Sequence, residues 1–387
     1  MVMDSMIPYG KQLIDEDDIE AVVKVLRSDY LTTGPCCRSF EEKLAQKVGA
    51  KHALVFSSGT AALHAAYFAA GLEPGQQVIT TPITFAATAN AALYLGGAPV
   101  FVDIAPHSFN IDVTKIESAI TAKTKIIAPV DMAGIPADID PIMRLAEKYN
   151  LVVVEDACHA LGATYKNRPV GSNAHLTVFS FHPVKHITTG EGGAVVTSNV
   201  QYYERLVMFR NHGITRDPDK LIARDAGPWH QEMHYLGYNY RLTDLQCALG
   251  QSQLKKLDLF VKKRREIVHR YNAAFKDNPL VETPPQVDQA EPSWHLYVIR
   301  LQKQVDKKEV VQFLNECGVG CQVHYMPVYR HPYYERFGIN PEHFPHAERY
   351  YRQCLSIPLY PAMGDTEINR VIAAVNALPA RFGGEAK

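Results

Sequence analysis

The stretch that decides the reading is Val152-Val153-Val154-Glu155-Asp156-Ala157-Cys158-His159, an apolar run that ends abruptly in two carboxylates and then an imidazole. A continuous rather than alternating apolar run marks a strand covered on both faces, as in a parallel sheet. Comparable runs flank it: His52 to Phe56, Gln77 to Thr80, Pro99 to Asp103, Lys125 to Val130, Thr177 to Phe181 and Ala194 to Thr197. Between them, Thr60 to Gly71 and Ile139 to Tyr149 carry helical periodicity. The alternation predicts an α/β fold around a mostly parallel central sheet flanked by helices.

Before this region, Asp15 is placed to cap a helix with Ile19, Val22, Val23 and Leu26 on its apolar face. After it, Thr243 and Gln246 form a capping box for one long helix running to about Phe275 and bridging two domains. Beyond the Pro279 to Pro292 stretch, a strand from His295 to Leu301, a helix from Lys307 to Cys317, a strand from Gly320 to Tyr325 and two further helices are expected. The organisation read from this is a large α/β domain with an N-terminal arm over 1–255 and a smaller α+β domain over 256–387.

Composition narrows the function classes. The 387 residues are 47% hydrophobic and 21% charged, which excludes a natively unfolded chain. Forty basic against 41 acidic residues leave a formal charge of -1, so no positive field gathers nucleic acid or anionic lipid. The longest apolar stretch, Ala91 to Val102, is broken by Gly96, Gly97 and Pro99 and falls short of the roughly 18 residues of a membrane span. The first eleven residues lack the pattern of a secretory signal. Seven scattered cysteines form no disulfide framework, so the cytoplasm is the expected compartment. Cys317 and Cys321 read as buried thiols rather than zinc ligands, and no metal is expected.

Ligands of such sheets bind beyond the carboxyl ends of the strands. Four places there stand out. Ser57-Ser58-Gly59-Thr60-Ala61-Ala62 joins a strand to a helix through small residues, which either cradle an anion on the helix amides or allow close packing. Asp156 sits at a strand end, where a carboxylate also serves as a helix cap or metal ligand. Lys185, following Ser180 and Phe181, would ordinarily be a solvated surface charge. The glycine turn Gly190-Glu191-Gly192-Gly193 that follows argues that it is held inside. Phe85, among small residues, is either core or a stacking plate. A phosphate cup, a ring contact, a strand-end carboxylate and a restrained amine together fit pyridoxal 5'-phosphate, which needs a lysine to form its Schiff base. His159 lies close enough in sequence to Asp156 to touch that ring or its phenolic oxygen.

These motifs, with Leu31-Thr32-Thr33-Gly34-Pro35 and Gly237-Tyr238-Asn239-Tyr240-Arg241-Leu242, resemble the DegT-type nucleotide-sugar aminotransferases over nearly the whole chain. The resemblance implies the type I aminotransferase fold. It implies that Lys185 carries the cofactor covalently, Asp156 pairs with the pyridine nitrogen, Phe85 stacks on the ring, and Ser58, Gly59, Thr60, Ala61 and Ser180 surround the phosphate. It also implies a homodimer in which Asn239 reaches the phosphate of the other subunit. His159, where most members have glutamine, resembles the branch serving pseudaminic acid synthesis. That likeness implies a UDP-linked 4-keto sugar and L-glutamate as substrates, with pyridoxamine 5'-phosphate in the second half-reaction. It places Tyr9, Asp29, Tyr30, Leu31, Thr32, Gln322, Val323, His324 and Tyr325 around the nucleotide sugar, together with Gly59, Ser180 and Asn239. A cation such as Arg241 or His324 would meet the diphosphate.

Three other readings stay open. Asp156, His159, His182, His186 and Glu191 could ligate a metal in a hydrolase, although Pro183 opposes the helix that His182 and His186 would need. The fold could bind the cofactor without catalysis. A sugar dehydratase of the same family would carry histidine in place of Lys185.

Overall fold

The computed structural model describes residues 6–223, 226–302 and 305–383. The ends of the chain that the sequence reading covered, 1–5 and 384–387, lie outside the described residues.

Seven strands form the central sheet: β1 (His52–Phe56), β2 (Gln77–Thr80), β3 (Ala98–Phe101), β4 (Thr124–Ala128), β5 (Val152–Asp156), β6 (Leu176–Ser180) and β7 (Gly193–Thr197). Their order is β1-β7-β6-β5-β4-β2-β3, and β7 alone runs against its neighbours. Every residue of β5 and β7 is buried, as continuous apolar runs covered on both faces require. Helices α1 (Glu16–Leu26), α2 (Pro35–Val48), α3 (Gly59–Ala69), α4 (Ala87–Tyr94), α5 (Val113–Ala119), α6 (Ile139–Tyr149) and α7 (Val200–Arg210) pack around this sheet. The strands fall where the apolar runs predicted, within about two residues at each end.

The capping box at Thr243 and Gln246 opens α8 (Asp244–Phe275), a 32-residue helix. Leu254, Leu257 and Val261 join the core under the sheet, while Ile267, Val268, Tyr271 and Phe275 join the C-terminal core. The boundary expected near residue 255 thus falls inside one unbroken helix that serves both cores. The C-terminal unit pairs β8 (Val281–Glu282), β9 (Tyr297–Leu301) and β10 (Cys354–Ile357) antiparallel, covered by α9 (Lys307–Glu316), α10 (Pro345–Gln353) and α11 (Asp365–Asn376).

Three expectations are corrected. Residues 320–325 form no strand; Gln322 alone bridges Ser356, with amides and carbonyls exchanged at 3.0 and 2.7 Å. The strand of that unit is instead β10, a run of only four residues too short to separate from its surroundings by periodicity. In α1 the cap at Asp15 forms, but Ile19 and Leu26 stay exposed. The helix docks through buried Asp18, which accepts from Gln253 Nε2 at 2.7 Å and pairs with Lys256 at 3.0 Å. Cys317 and Cys321 are half-buried rather than buried, packed against the C-terminal core, and all seven cysteines are free. Among the described residues no cluster of His, Cys, Asp and Glu is arranged to hold a metal, and no helix is long and apolar enough to cross a membrane.

The loop after β4 meets the loop after β5 at Gly134, whose φ is +86°. A Cβ there would lie 2.7 Å from the His159 carbonyl oxygen and 2.8 Å from the His295 amide nitrogen. Gly134→Ala is therefore expected to destabilise the fold by more than about 1 kcal/mol, since both the conformation and the contact oppose it. Urea unfolding with an unchanged midpoint would contradict this.

Candidate active site

The anion cradle is built where β1 passes into α3. Ser58 caps the helix by accepting from the Ala61 amide at 3.1 Å, while the first amides of a helix have no partner within it. Two glycines bring neighbouring strands onto this turn. A Cβ on Gly59 would stand 3.2 Å from Ser180 Oγ, and one on Gly193 only 2.6 Å from the Ser58 carbonyl oxygen. The Ser180 hydroxyl at the end of β6 is thereby set beside free helix amides, the donor set a phosphate ester needs.

Asp156 closes β5. Its amide donates to Pro129 O at 2.9 Å and its carbonyl accepts from Asp131 N at 3.1 Å, which fixes the backbone on both sides. The carboxylate accepts from Thr88 Oγ1 at 2.6 Å and from Cys158 N at 3.2 Å. Two further carboxyls lie nearby and out of water. Burial pushes Glu155 up to about 7, with the Asp156 charge adding to it, while burial and then the Glu155 charge hold Asp131 well above the usual carboxylate range.

Lys185 lies in the loop between β6 and β7, tied by Lys185 N to His182 O at 2.9 Å, Thr188 Oγ1 to Phe181 O at 3.0 Å and Gly190 N to Thr188 Oγ1 at 2.9 Å. Desolvation pulls its ammonium down to about 8, against the opposing pull of Cys158 and Asp156. His159 is buried, and burial together with the charge of Lys185 holds its imidazole well below 6.5, so it is neutral. Its Nε2 lies 3.3 Å from the Tyr325 hydroxyl, and its Nδ1 has no partner among the described residues.

These groups share one cavity of about 420 Å³. Of the residues singled out from the sequence, Tyr9, Ser58, Gly59, Thr60, Phe85, Asp156, His159, Ser180, Lys185, His324 and Tyr325 line it. Phe85 stands at the rim, 60% exposed, with its ring 6.0 Å from that of Tyr325. Ala61 is buried behind the cradle with its amide taken by Ser58. Asp29, Tyr30, Leu31 and Thr32 are exposed and outside the cavity. Gln322 is occupied with Ser356, and Val323 packs into the C-terminal core. Asn239 is exposed and pairs with Asn211 of its own chain, and Arg241 donates to the Asn211 side chain at 2.5 Å. The reading from sequence did not place Leu63, Thr84, Ala87, Val130, Cys158, Val184 or His295 at the cavity, named His182 and Glu191 only as possible metal ligands, and missed Thr88 as the partner of Asp156. Cys158 and His182 lay inside motifs already noted. His295 carries no local signal, because it arrives from the C-terminal unit.

The chain matches the profile of the DegT/DnrJ/EryC1/StrS aminotransferase family over residues 12–376. It is 41% identical to the spore coat polysaccharide biosynthesis protein SpsC of Bacillus subtilis, over 95% of this chain and 96% of that protein. It is 42% identical to a UDP-4-amino-4,6-dideoxy-N-acetyl-β-L-altrosamine transaminase of Campylobacter jejuni, over 92% and 93% of the two chains. Helicobacter pylori PseC, an aminotransferase involved in the biosynthesis of pseudoaminic acid, superposes with a TM-score of 0.91 at 36% identity, covering 98% of this chain and 100% of that one. The pyridoxal phosphate form of the sugar aminotransferase Spr1654 of Streptococcus pneumoniae superposes with a TM-score of 0.91 at 30% identity, over 97% and 99%.

The depressed basicity of Lys185 has a direct consequence in the protein without cofactor. Acylation by an amine-directed reagent should rise with pH through a midpoint near 8 at Lys185, against 10.5 for an ordinary lysine. A midpoint above 10, read by peptide mapping, would show that the cavity does not desolvate the amine.

Proposed function

The chain belongs to the DegT/DnrJ/EryC1/StrS aminotransferase family, and on that premise we propose that it moves an amino group from L-glutamate to C4 of a UDP-linked 4-keto-6-deoxy-N-acetyl hexose. The product of this reading is UDP-4-amino-4,6-dideoxy-N-acetyl-β-L-altrosamine, a step toward pseudaminic acid. The observation that carries it is the convergence of Lys185, Asp156 and the Ser58 to Thr60 turn on one cavity, with His159 between them.

When bound, pyridoxal phosphate supplies a ring that takes up the electron pair left at the carbon losing its proton. The residues of the chain do the rest. The α3 amides, with Thr60 and Ser180, hold the phosphate. Asp156, fixed by Thr88 and the Cys158 amide, keeps the proton on the pyridine nitrogen. Lys185 anchors the cofactor and then, as a free amine, carries the proton between substrate and cofactor carbons. An amine depressed to about 8 has roughly a tenth of its population unprotonated at pH 7, far more than an ordinary lysine at 10.5, as a general base needs. Phe85, at the rim of the cavity, would flank the ring, and His159 Nδ1 would be free to meet the phenolic oxygen. Tyr9, His324 and Tyr325, which line the cavity, would receive the nucleotide sugar, while Asp29 to Thr32 and Gln322 lie outside the cavity of the single chain. The two substrates use the cavity in turn, which makes the kinetics ping-pong.

The enzyme works as a homodimer in which Asn239 of one copy completes the phosphate site of the other. Supporting this, Asn239 is exposed, as are the apolar side chains of Ile222, Trp229, Met233 and Leu236 on the same stretch of chain. The free cysteines suit a cytoplasmic location. Another nucleotide-linked keto sugar is the second reading, favoured by the 41% identity to the spore coat polysaccharide protein.

Two experiments test the proposal. Purified protein should be yellow, borohydride should fix the cofactor on Lys185, and UDP-2-acetamido-2,6-dideoxy-β-L-arabino-hexos-4-ulose should be aminated in preference to 4-keto sugars of the gluco series or on a GDP carrier. The reverse preference assigns a different sugar. Separately, Lys185→Ala and Asn239→Ala are each expected to be inactive, yet equal mixing after subunit exchange should restore about a quarter of full activity through the one intact site of each mixed dimer. A mixture that stays inactive despite proven exchange refutes the shared site.

A further inference from the structure

Three backbone segments meet behind the cavity, and the meeting point is tied from every side. The Ser293 amide donates to Gly134 O at 3.0 Å and its hydroxyl to His159 O at 3.3 Å. From α8, the buried Arg264 guanidinium donates to the carbonyls of Trp294 at 3.3 Å and His295 at 3.2 Å. The absence of a side chain at Gly134 lets the His159 carbonyl and the His295 amide approach. The backbone of His295 therefore has one position relative to that of His159.

Its side chain uses that position. The His295 ring is buried, lines the cavity, and packs on the His159 ring with centroids 4.3 Å apart and planes at 50°. Burial and the charge of Lys185 keep both rings neutral, so they meet without repulsion. The His159 ring has few restraints of its own. Tyr325 OH touches its Nε2 with the two rings 6.1 Å apart, its Nδ1 has no partner among the described residues, and the His295 ring packs against it at the shorter distance of 4.3 Å. A side-chain ring rotates broadly about its terminal torsion unless neighbours stop it.

We propose that His295 is the positioning residue for His159, holding that imidazole at the angle from which Nδ1 meets the cofactor. In this way the C-terminal unit sets the orientation of a group that belongs to the sheet. The inference rests on the reading of His159 as a cofactor-facing residue.

The test begins on the protein without cofactor. With labelled histidine, the His159 ring should give one sharp NMR signal in the natural protein. In His295→Ala it should shift and broaden, and His295→Phe, which keeps a ring at the contact, should restore it. In fully loaded enzyme, His295→Ala should move the pH midpoint of the visible absorbance band. It should also lower kcat about tenfold with KM for the sugar nucleotide unchanged, and His295→Phe should recover most of both. On a His159→Ala background, His295→Ala should move the midpoint no further. Additive shifts, or a His295→Ala enzyme that loses thermal stability while its midpoint and His159 signal stay put, would overturn the proposal. Should His295→Ala fail to fold, His295→Asn carries the same measurements. A His159→Ala enzyme with an unmoved band defeats the earlier assignment of His159. A moved band in that variant with an unmoved one in His295→Ala defeats only this inference.

Discussion

The partial withdrawal from water of the Lys185 ammonium, half-buried in the cavity wall, is the constraint on which the rest of the site depends. Removing a charge from solvent is costly, and the group answers by giving up its proton more readily, here at about 8. Desolvation heads the causes, and the neighbouring Cys158 and Asp156 oppose it. The shift therefore requires a closed surrounding rather than a second cation. The tight Phe181 to Gly193 turn supplies one wall. The strand-end loops of β4 and β5 supply another, and the residues from the C-terminal unit cover the rest. Opening any of these to solvent returns the amine toward its ordinary, protonated state.

The same economy of charge governs the carboxylates. Asp131, Glu155 and Asp156 crowd the ends of adjacent strands, where three ionised groups would repel strongly in a low dielectric. Burial resolves the crowding by favouring the protonated forms of Asp131 and Glu155. Asp156, with hydrogen bonds from Thr88 and the Cys158 amide, is the one whose charged form is supplied with donors at both oxygens. Hydrogen bonding, rather than place in the sequence, thus distinguishes Asp156 from the two carboxyls beside it.

Much of this was legible in the sequence, for a reason that also explains what was not. The interior strands, β5 and β7 above all, are readable because a strand buried on both faces has no alternative but a continuous apolar run. The cap at Asp15 and the capping box at Thr243 are readable because the hydrogen bonds that satisfy a helix end are local. The Ser58 turn, Asp156 and Lys185 follow the strands that carry them, so finding the strands found the site. Long-range contacts left no such trace. The run from Gly320 to Tyr325 has the composition of a strand, yet Gln322 alone pairs, and the residues after it turn into the cavity instead. In α1 the apolar stripe includes Ile19 and Leu26, which stay exposed, while Gln253 and Lys256 take Asp18 inside, a contact 235 residues distant for Gln253. Thr88 and His295 act on Asp156 and His159 from other elements, and nothing near either residue in the chain announces it.

The identity of the anion binder follows from the same electrostatics. Lys185 is the only lysine or arginine among the described residues lining the cavity. A cationic phosphate clamp would neutralise the ester, but it would also stand near Lys185, lower its proton affinity further and compete for every anion entering. Helix amides avoid this, because they offer directed donors and a partial charge that fades within a turn. The imidazoles follow the same rule. His159, His295 and His324 are all held below their ordinary value by burial, with Lys185 reinforcing it in each, so they contribute polarity without charge. The donors of the cavity are thus of two kinds: neutral amides, hydroxyls and imidazoles, and the single amine of Lys185.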